Sequence, residues 1–158
     1  TEEDLHNYDT LLKVFPPLRT KEDQKALIAA VEDGTVDCIT THHMPQDWDG
    51  KTIEFENAKA GIASIETSFA AVKQAIPSLS EARLSELFSS NARNIFGLNN
   101  CSIQEGAEAE LTLFSAKENT NLSKENSKSK SANSPFWDIT LTGKVVGTYV
   151  KGRLSINK

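Results

Sequence analysis

Two adjacent histidines, His42 and His43, close an apolar run and open the loop 44–51, which reads MPQDWDGK. Imidazole titrates near neutral pH and is the commonest metal ligand, so such a pair could move a proton or hold a metal ion. The spacing argues against a metal. Neighbouring side chains on a strand leave on opposite faces, so the two rings do not converge if the strand runs through them. A catalytic metal site needs three or more converging ligands, and the chain has 3 histidines in all, with His6 in a polar N-terminal stretch. H-x-H and H-E-x-x-H are absent. On residue types alone, a polar surface loop and the remnant of a catalytic segment both stay open.

The elements that would position this loop follow from local signals. The apolar run 11–15 ends at Pro16 and Pro17, which cannot continue a central strand. Thr20, with Asp23 three residues on, opens a helix whose apolar face is Ala26, Leu27, Ala30 and Val31. Gly34 ends it, and 36–40 reads as a second strand. This strand–turn–helix–strand order is the grammar of parallel α/β proteins, where functional groups gather at the ends of strands. A helix is expected over 62–76, from the spacing of Ile62, Ile65, Phe69, Val72 and Ile76, with Pro77 as its stop. Ser80 caps a further helix carrying Leu84, Leu87 and Phe88, and a short turn ends at Gly97. Beyond it, 109–115 alternates like a strand. The polar stretch 117–134 reads as a loop, and 138–156 as three strands punctuated by Gly143 and Gly152.

Composition sets the outer limits. The chain has 158 residues, 38% hydrophobic and 25% charged, enough for one domain with a core. A net charge of −5 argues against nucleic-acid binding. No apolar run could cross a bilayer, and the acidic N-terminal stretch is no signal peptide. Cys38 and Cys101 stand apart with no metal spacing. Cys38 is expected to be a small buried residue, and the pair suits a reducing, cytoplasmic setting. A parallel strand pair needs neighbours and helices over both faces, so the chain is expected to be part of a larger protein with more chain on its N-terminal side.

Several segments, in order and at compatible spacing, resemble the dihydroorotases. They are YDTLLKVFPPLRTKEDQKALIAAVEDGTVDCITTHHMPQ (8–46), FENAKAGIASIETSF (55–69), NARNIFGL (91–98), IQEGAEAELTLF (103–114), SKSANSPF (129–136) and LTGKVVGTYVKGRL (141–154). The resemblance implies an α/β fold of the amidohydrolase superfamily. Residues 1–98 would be the C-terminal part of a (β/α)8 barrel, with its last two strands at 11–15 and 36–40. Residues 99–158 would be the C-terminal share of a small β domain. It also implies a zinc-dependent chemistry whose metal ligands lie before Thr1, with no metal ligand or cofactor in this chain. A metal-bound hydroxide attacks the cyclic amide of dihydroorotate, and an aspartate at the end of the last barrel strand carries the proton.

That aspartate position is His42 here. The family's substrate-binding histidine, at the end of the same motif, corresponds to Gln46, and its substrate-binding asparagine, just before the proline pair, to Phe15. Gly61, whose loop offers backbone contacts to a carboxylate, is kept. An imidazole carries no negative charge on a positive site, though it can act as a neutral base. Phe15 replaces an amide with a ring, and Gln46 gives up any positive charge. The expectation is a dihydroorotase-like protein of pyrimidine biosynthesis whose catalysis is lost, a pseudoenzyme or scaffold. Its expected partners are the N-terminal portion of the same protein, a homo-oligomer or aspartate carbamoyltransferase. The alternative is an active metal-dependent cyclic amidohydrolase, a dihydroorotase or one with an altered substrate, hydrolysing a cyclic amide C–N bond with His42 as base or ligand. Plainer readings stand beside these: Phe15 as core, Trp48 covering local apolar surface, Arg19 paired with a helix carboxylate, and 117–134 as a solvated loop.

Overall fold

The computed structural model describes residues 1–157. It is an α/β chain that divides into two compact units, each assembled from separated stretches of sequence. The first comprises Thr1–Asp33, Thr41–Ser68 and Asn121–Ile139. The second comprises Gly34–Thr40, Phe69–Thr120 and the chain from Thr140.

The first unit holds helix α1, Lys21–Glu32. Its start is as the sequence predicts: Thr20 accepts from the Asp23 amide and Asp23 reaches back to Thr20, a reciprocal capping box. Gly34 follows at φ 90, a backbone state that favours glycine. The expected apolar face is only partly used, because Val31 is buried while Leu27 is 59% exposed. The run 11–15 is not a strand. Asp9 caps a single 3-10 turn, Thr10–Leu12, by accepting from the Leu11 amide. The buried residues of this unit are small or polar: Ala58, Ala63, Thr67, Asn133 and Ser134, with Val31 and Leu122. Hydrogen bonds therefore carry much of what bulky side chains would supply elsewhere.

The second unit has an apolar core. Leu84, Leu87, Ala70, Ile76, Leu79 and Leu141 are all buried. Helix α2 (Ser68–Ala75) begins six residues later than expected. The residues from Ile62 to Ser64 instead bond to other segments, with Ile62 O accepting from Met44 N and Ala63 N donating to Asn133 O. Ser80 caps helix α3 (Glu81–Ser85) by accepting from Arg83 N. One wide, π-type turn over Glu86–Ser90 joins α3 to α4 (Asn91–Ile95), and Gly97 follows at φ 64. The run 36–40 pairs with no strand among the described residues. Its backbone is satisfied by that helical run: Ile39 N donates to Leu87 O, Arg83 Nη2 to Val36 O, and Asn91 Nδ2 to Asp37 O. A parallel ladder needs a neighbouring strand, and the described residues bring none beside it. Cys38 is half-buried rather than buried.

A three-stranded sheet of order β1-β2-β3 completes this unit, from Glu110–Asn121, Thr140–Val150 and Arg153–Ile156. Strand β1 runs six residues past the expected 115, so the polar stretch begins as strand. Strands β2 and β3 are antiparallel, with Val150 opposite Arg153. Lys151 and Gly152 between them have φ 49 and 77, the two positive values a tight hairpin turn requires. Gly143 is not a turn. It lies inside β2 at φ 100, where an added Cβ would stand 3.2 Å from Phe69 Cε1 and 3.3 Å from Lys73 Cβ. The glycine is what lets β2 lie so close over α2.

Leu87 is fully buried. Leu87→Ala should lower stability by about 2–5 kcal/mol in chemical denaturation, through lost burial and the cavity left behind. Leu98→Ala, at a 58% exposed position, should change it far less.

Candidate functional site

All four sequence-predicted site residues fall in the first unit. They form two neighbouring arrangements rather than one pocket lined by all four.

The first is Phe15 with His42. Their ring centroids are 6.4 Å apart and tilted by 55°. His42 Nδ1 lies 2.6 Å from Phe15 O. A carbonyl oxygen only accepts, so Nδ1 carries the proton, and in the neutral ring Nε2 holds the lone pair. His42 has φ 43, a left-handed backbone state that bulky residues rarely adopt. Phe15 is 65% exposed among the described residues. His43 is the opposite tautomer. Its Nδ1 accepts from the amides of Ser64 (3.1 Å) and Ile65 (3.3 Å), so the neutral ring is protonated on Nε2. Thus both rings have Nδ1 committed to backbone, one donating and one accepting. The strand premise does not hold at His42, whose backbone breaks extended geometry.

The second arrangement is Gln46 with Gly61. Gln46 Nε2 donates to Ala60 O at 3.1 Å. Gly61 has φ 140, and an added Cβ would meet Met44 O at 2.8 Å and Gln46 Nε2 at 3.0 Å. Only glycine fits there. The organiser is Asn133, a buried residue that sequence reasoning passed over as part of a solvated loop. Its Nδ2 donates to Met44 O and to Gly61 O, each at 3.1 Å, and its Oδ1 accepts from Gln46 N at 3.1 Å. Its backbone carbonyl accepts from Ala63 N. Ser131 supports it, accepting from Gln46 N and donating to Gln46 O.

Two charged side chains fix the remaining segments. Lys51 is buried, and its Nζ donates to Thr10 O (2.8 Å) and Lys13 O (3.0 Å), while Thr10 Oγ1 donates to Lys51 O. Burial, then the Lys13 charge, pushes the Lys51 ammonium below the ordinary lysine range, with Asp9 opposing. Glu66 accepts from Ser127 Oγ and from the amides of Lys128 and Ser129. Burial alone would raise the Glu66 carboxyl; these three donors and the Lys128 charge outweigh it and hold the group below its ordinary 4.5. Arg19 makes no ion pair among the described residues, contrary to the plainer reading, and Trp48 is 74% exposed rather than covering apolar surface.

This chain's own side chains do not supply a ligand set for a metal ion among the described residues. No three His, Cys, Asp or Glu side chains among them gather to hold one. Nor is any described helix long and apolar enough to cross a membrane.

No family model matches the chain. It is 37% identical, over its whole length, to the dihydroorotase of Caldanaerobacter subterraneus subsp. tengcongensis, and covers 37% of that protein. It is 36% identical over 98% of its length to the dihydroorotase of Caldicellulosiruptor saccharolyticus, of which it covers 36%. The chain thus spans little more than a third of the curated relatives it matches. Its fold is shared with an L-hydantoinase (dihydropyrimidinase) from Arthrobacter aurescens, at TM-score 0.82 and 24% identity over all of this chain and 37% of that one. A D-hydantoinase (dihydropyrimidinase) from Thermus sp. gives TM-score 0.80 and 24% identity over 94% of this chain and 34% of the other. The resemblance read from the motifs is borne out, and the shared fold is that of the C-terminal part of these enzymes.

Asn133→Leu should cost more than an ordinary polar surface change. It strands the buried Gly61 carbonyl and the part-buried Met44 carbonyl, each at a cost of about 1–3 kcal/mol at most, and leaves the Gln46 amide only its Ser131 partner. Asn133→Asp keeps the acceptor but sets a buried carboxylate against the Met44 and Gly61 carbonyl oxygens, so denaturation should rank it at least as damaging as the leucine. The Glu66 carboxyl predicts an acid limb. Its folded pKa lies below the unfolded value, so its contribution is complete above about 4.5 and lost as pH falls through the folded value. Melts across that window should show stability falling with pH, with a shallower slope in Glu66→Gln.

Proposed function

We propose that this chain, a dihydroorotase-like segment of an amidohydrolase, belongs to a protein of pyrimidine biosynthesis that keeps the fold as a scaffold and has lost dihydroorotate hydrolysis. The observation that carries the reading is the 2.6 Å bond from His42 Nδ1 to Phe15 O. At the position where the family resemblance places a proton-carrying aspartate, this protein has a side chain that donates to a backbone carbonyl. An ionised carboxylate cannot make that bond. The local structure therefore suits a histidine, and an aspartate returned there would face a carbonyl oxygen at close range.

The neighbouring positions support the same reading. Phe15 offers a ring where the family offers an amide. The Gln46 amide is spent on Ala60 O. What is kept is the frame, Gly61 and the Asn133 contacts, rather than the reacting groups. Among the described residues no metal site is formed. In this reading the partners are the rest of the same protein and aspartate carbamoyltransferase, which a catalytically silent barrel would serve as a structural subunit.

One observation favours a second reading. With Nδ1 donating, the neutral His42 ring presents its lone pair at Nε2, where it could accept a proton from an attacking water. The protein would then hydrolyse a cyclic amide other than dihydroorotate.

The two readings separate in one set of assays on the full-length, zinc-supplemented protein. Scaffolding predicts no dihydroorotate turnover above a buffer blank. It further predicts that His42→Asp does not restore turnover and lowers stability relative to His42→Asn. Both replacements tolerate a left-handed backbone, but only asparagine keeps a donor for the exposed Phe15 O, so the difference should be about 0.5–1.5 kcal/mol. Dihydroorotate hydrolysis by the unaltered protein would overturn the proposal. Hydrolysis of another cyclic amide, abolished by His42→Ala, would replace it with the second reading.

A further inference from the structure

The first unit contains a cavity of about 720 Å³ that neither reading uses. Trp48 and Trp137 both line it, and they are the only 2 tryptophans of the chain. Lys51, Lys124 and Lys130 also line it, against one acid, Asp47. Of the four sequence-predicted site residues, Phe15, His42 and Gly61 are not on its wall and Gln46 is; Lys51, Ser131 and Asn133 line it too.

Three features define what would fit. The volume lies within the range of small-molecule sites, about 300–1,000 Å³, and far exceeds what a lone inorganic anion needs. The indoles supply flat apolar surface. Trp137 is held in place by its Nε1–H, which donates to Ala132 O, whereas Trp48 is 74% exposed at a position where packing gives no reason for a large ring. The charge is the third feature. In a chain of net charge −5, the wall carries three lysines to one carboxylate. Lys51 is committed to backbone carbonyls, but Lys124 and Lys130 are exposed and form no ion pair among the described residues.

We propose that this cavity is a binding site for a planar aromatic carboxylate, its ring against the indoles of Trp48 and Trp137 and its charge met by Lys124 and Lys130. The site is separate from the Phe15–His42 pair and does not depend on whether the protein hydrolyses anything. Its walls include Pro45 to Trp48, the residues that directly follow His42–Met44 in sequence, so a ligand there would touch the same loop.

The test uses 2-naphthoate as probe, with 2-naphthylmethanol as its neutral counterpart. The readout is the indole N–H resonances of Trp48 and Trp137, assigned with Trp48→Phe and Trp137→Phe. Naphthoate should shift both signals saturably, and the alcohol should bind about tenfold more weakly or worse, a single charge-assisted contact being worth that much. In the Lys124→Gln/Lys130→Gln double variant, naphthoate should fall to the affinity of the alcohol. Both lysines are exposed, so the variant should melt like the parent. The proposal is overturned if neither indole responds, if acid and alcohol bind alike in the unaltered protein, or if the double variant keeps the preference for the acid.

Discussion

One buried amide organises the first unit. Asn133 reaches 89 residues back to Met44 O and 72 back to Gly61 O, and takes the Gln46 amide on its oxygen. Three segments distant in sequence are therefore held by one side chain that has no room to choose other partners. The buried neighbours are too small to supply this by packing: Ala58, Ala63, Thr67 and Ser134. A unit with so little bulk inside depends on its polar groups being fully satisfied, and among the described residues no buried side-chain polar atom lacks a partner. Lys51 and Glu66 repeat the device with charged groups. The ammonium gathers carbonyls at Thr10 and Lys13, and the carboxylate gathers amides at Lys128 and Ser129.

This explains how reacting groups can change while the frame persists. Gly61 cannot become anything larger, because a Cβ there meets Met44 O at 2.8 Å. Asn133 cannot lose its amide nitrogen without stranding the buried Gly61 carbonyl. Phe15 and His42 are exposed, so their identities are under no such steric constraint. The hydrogen bond between them then sets a new local requirement: position 42 must donate. In the proposed reading, a carboxylate lost from position 42 is thereby difficult to restore by a single change.

Local signals were legible in the sequence and non-local ones were not. Thr20 with Asp23, Ser80, Gly34, Gly97 and Gly152 all act within a few residues of themselves, and each stands where the sequence placed it. The helix expected over 62–76 failed at its start. Ile62 and Ile65 fit a helical spacing, but the backbone around them bonds to Met44 and Asn133, and no local pattern announces that. The strands expected at 11–15 and 36–40 failed because a strand is defined by its neighbour, and none is supplied among the described residues. Asn133 and Ser131 lay hidden in a lysine- and serine-rich stretch with no periodicity. Their segment, SKSANSPF, drew notice only for its likeness to dihydroorotases, which said nothing of which residue was buried. His42 was identified as a departure from the family, but its bond to Phe15 O depends on a left-handed backbone state that its residue type does not announce.

The central claim is that position 42 serves the backbone rather than a metal-bound reaction centre. Two-bond proton–nitrogen correlation of the histidine rings in the full-length protein tests it most directly, recorded before and after addition of zinc. The account predicts that neutral His42 carries its proton on Nδ1, that His43 carries its own on Nε2, and that zinc leaves both patterns in place. A His42 ring unprotonated at Nδ1, or a zinc-dependent shift of its Nε2, would contradict it.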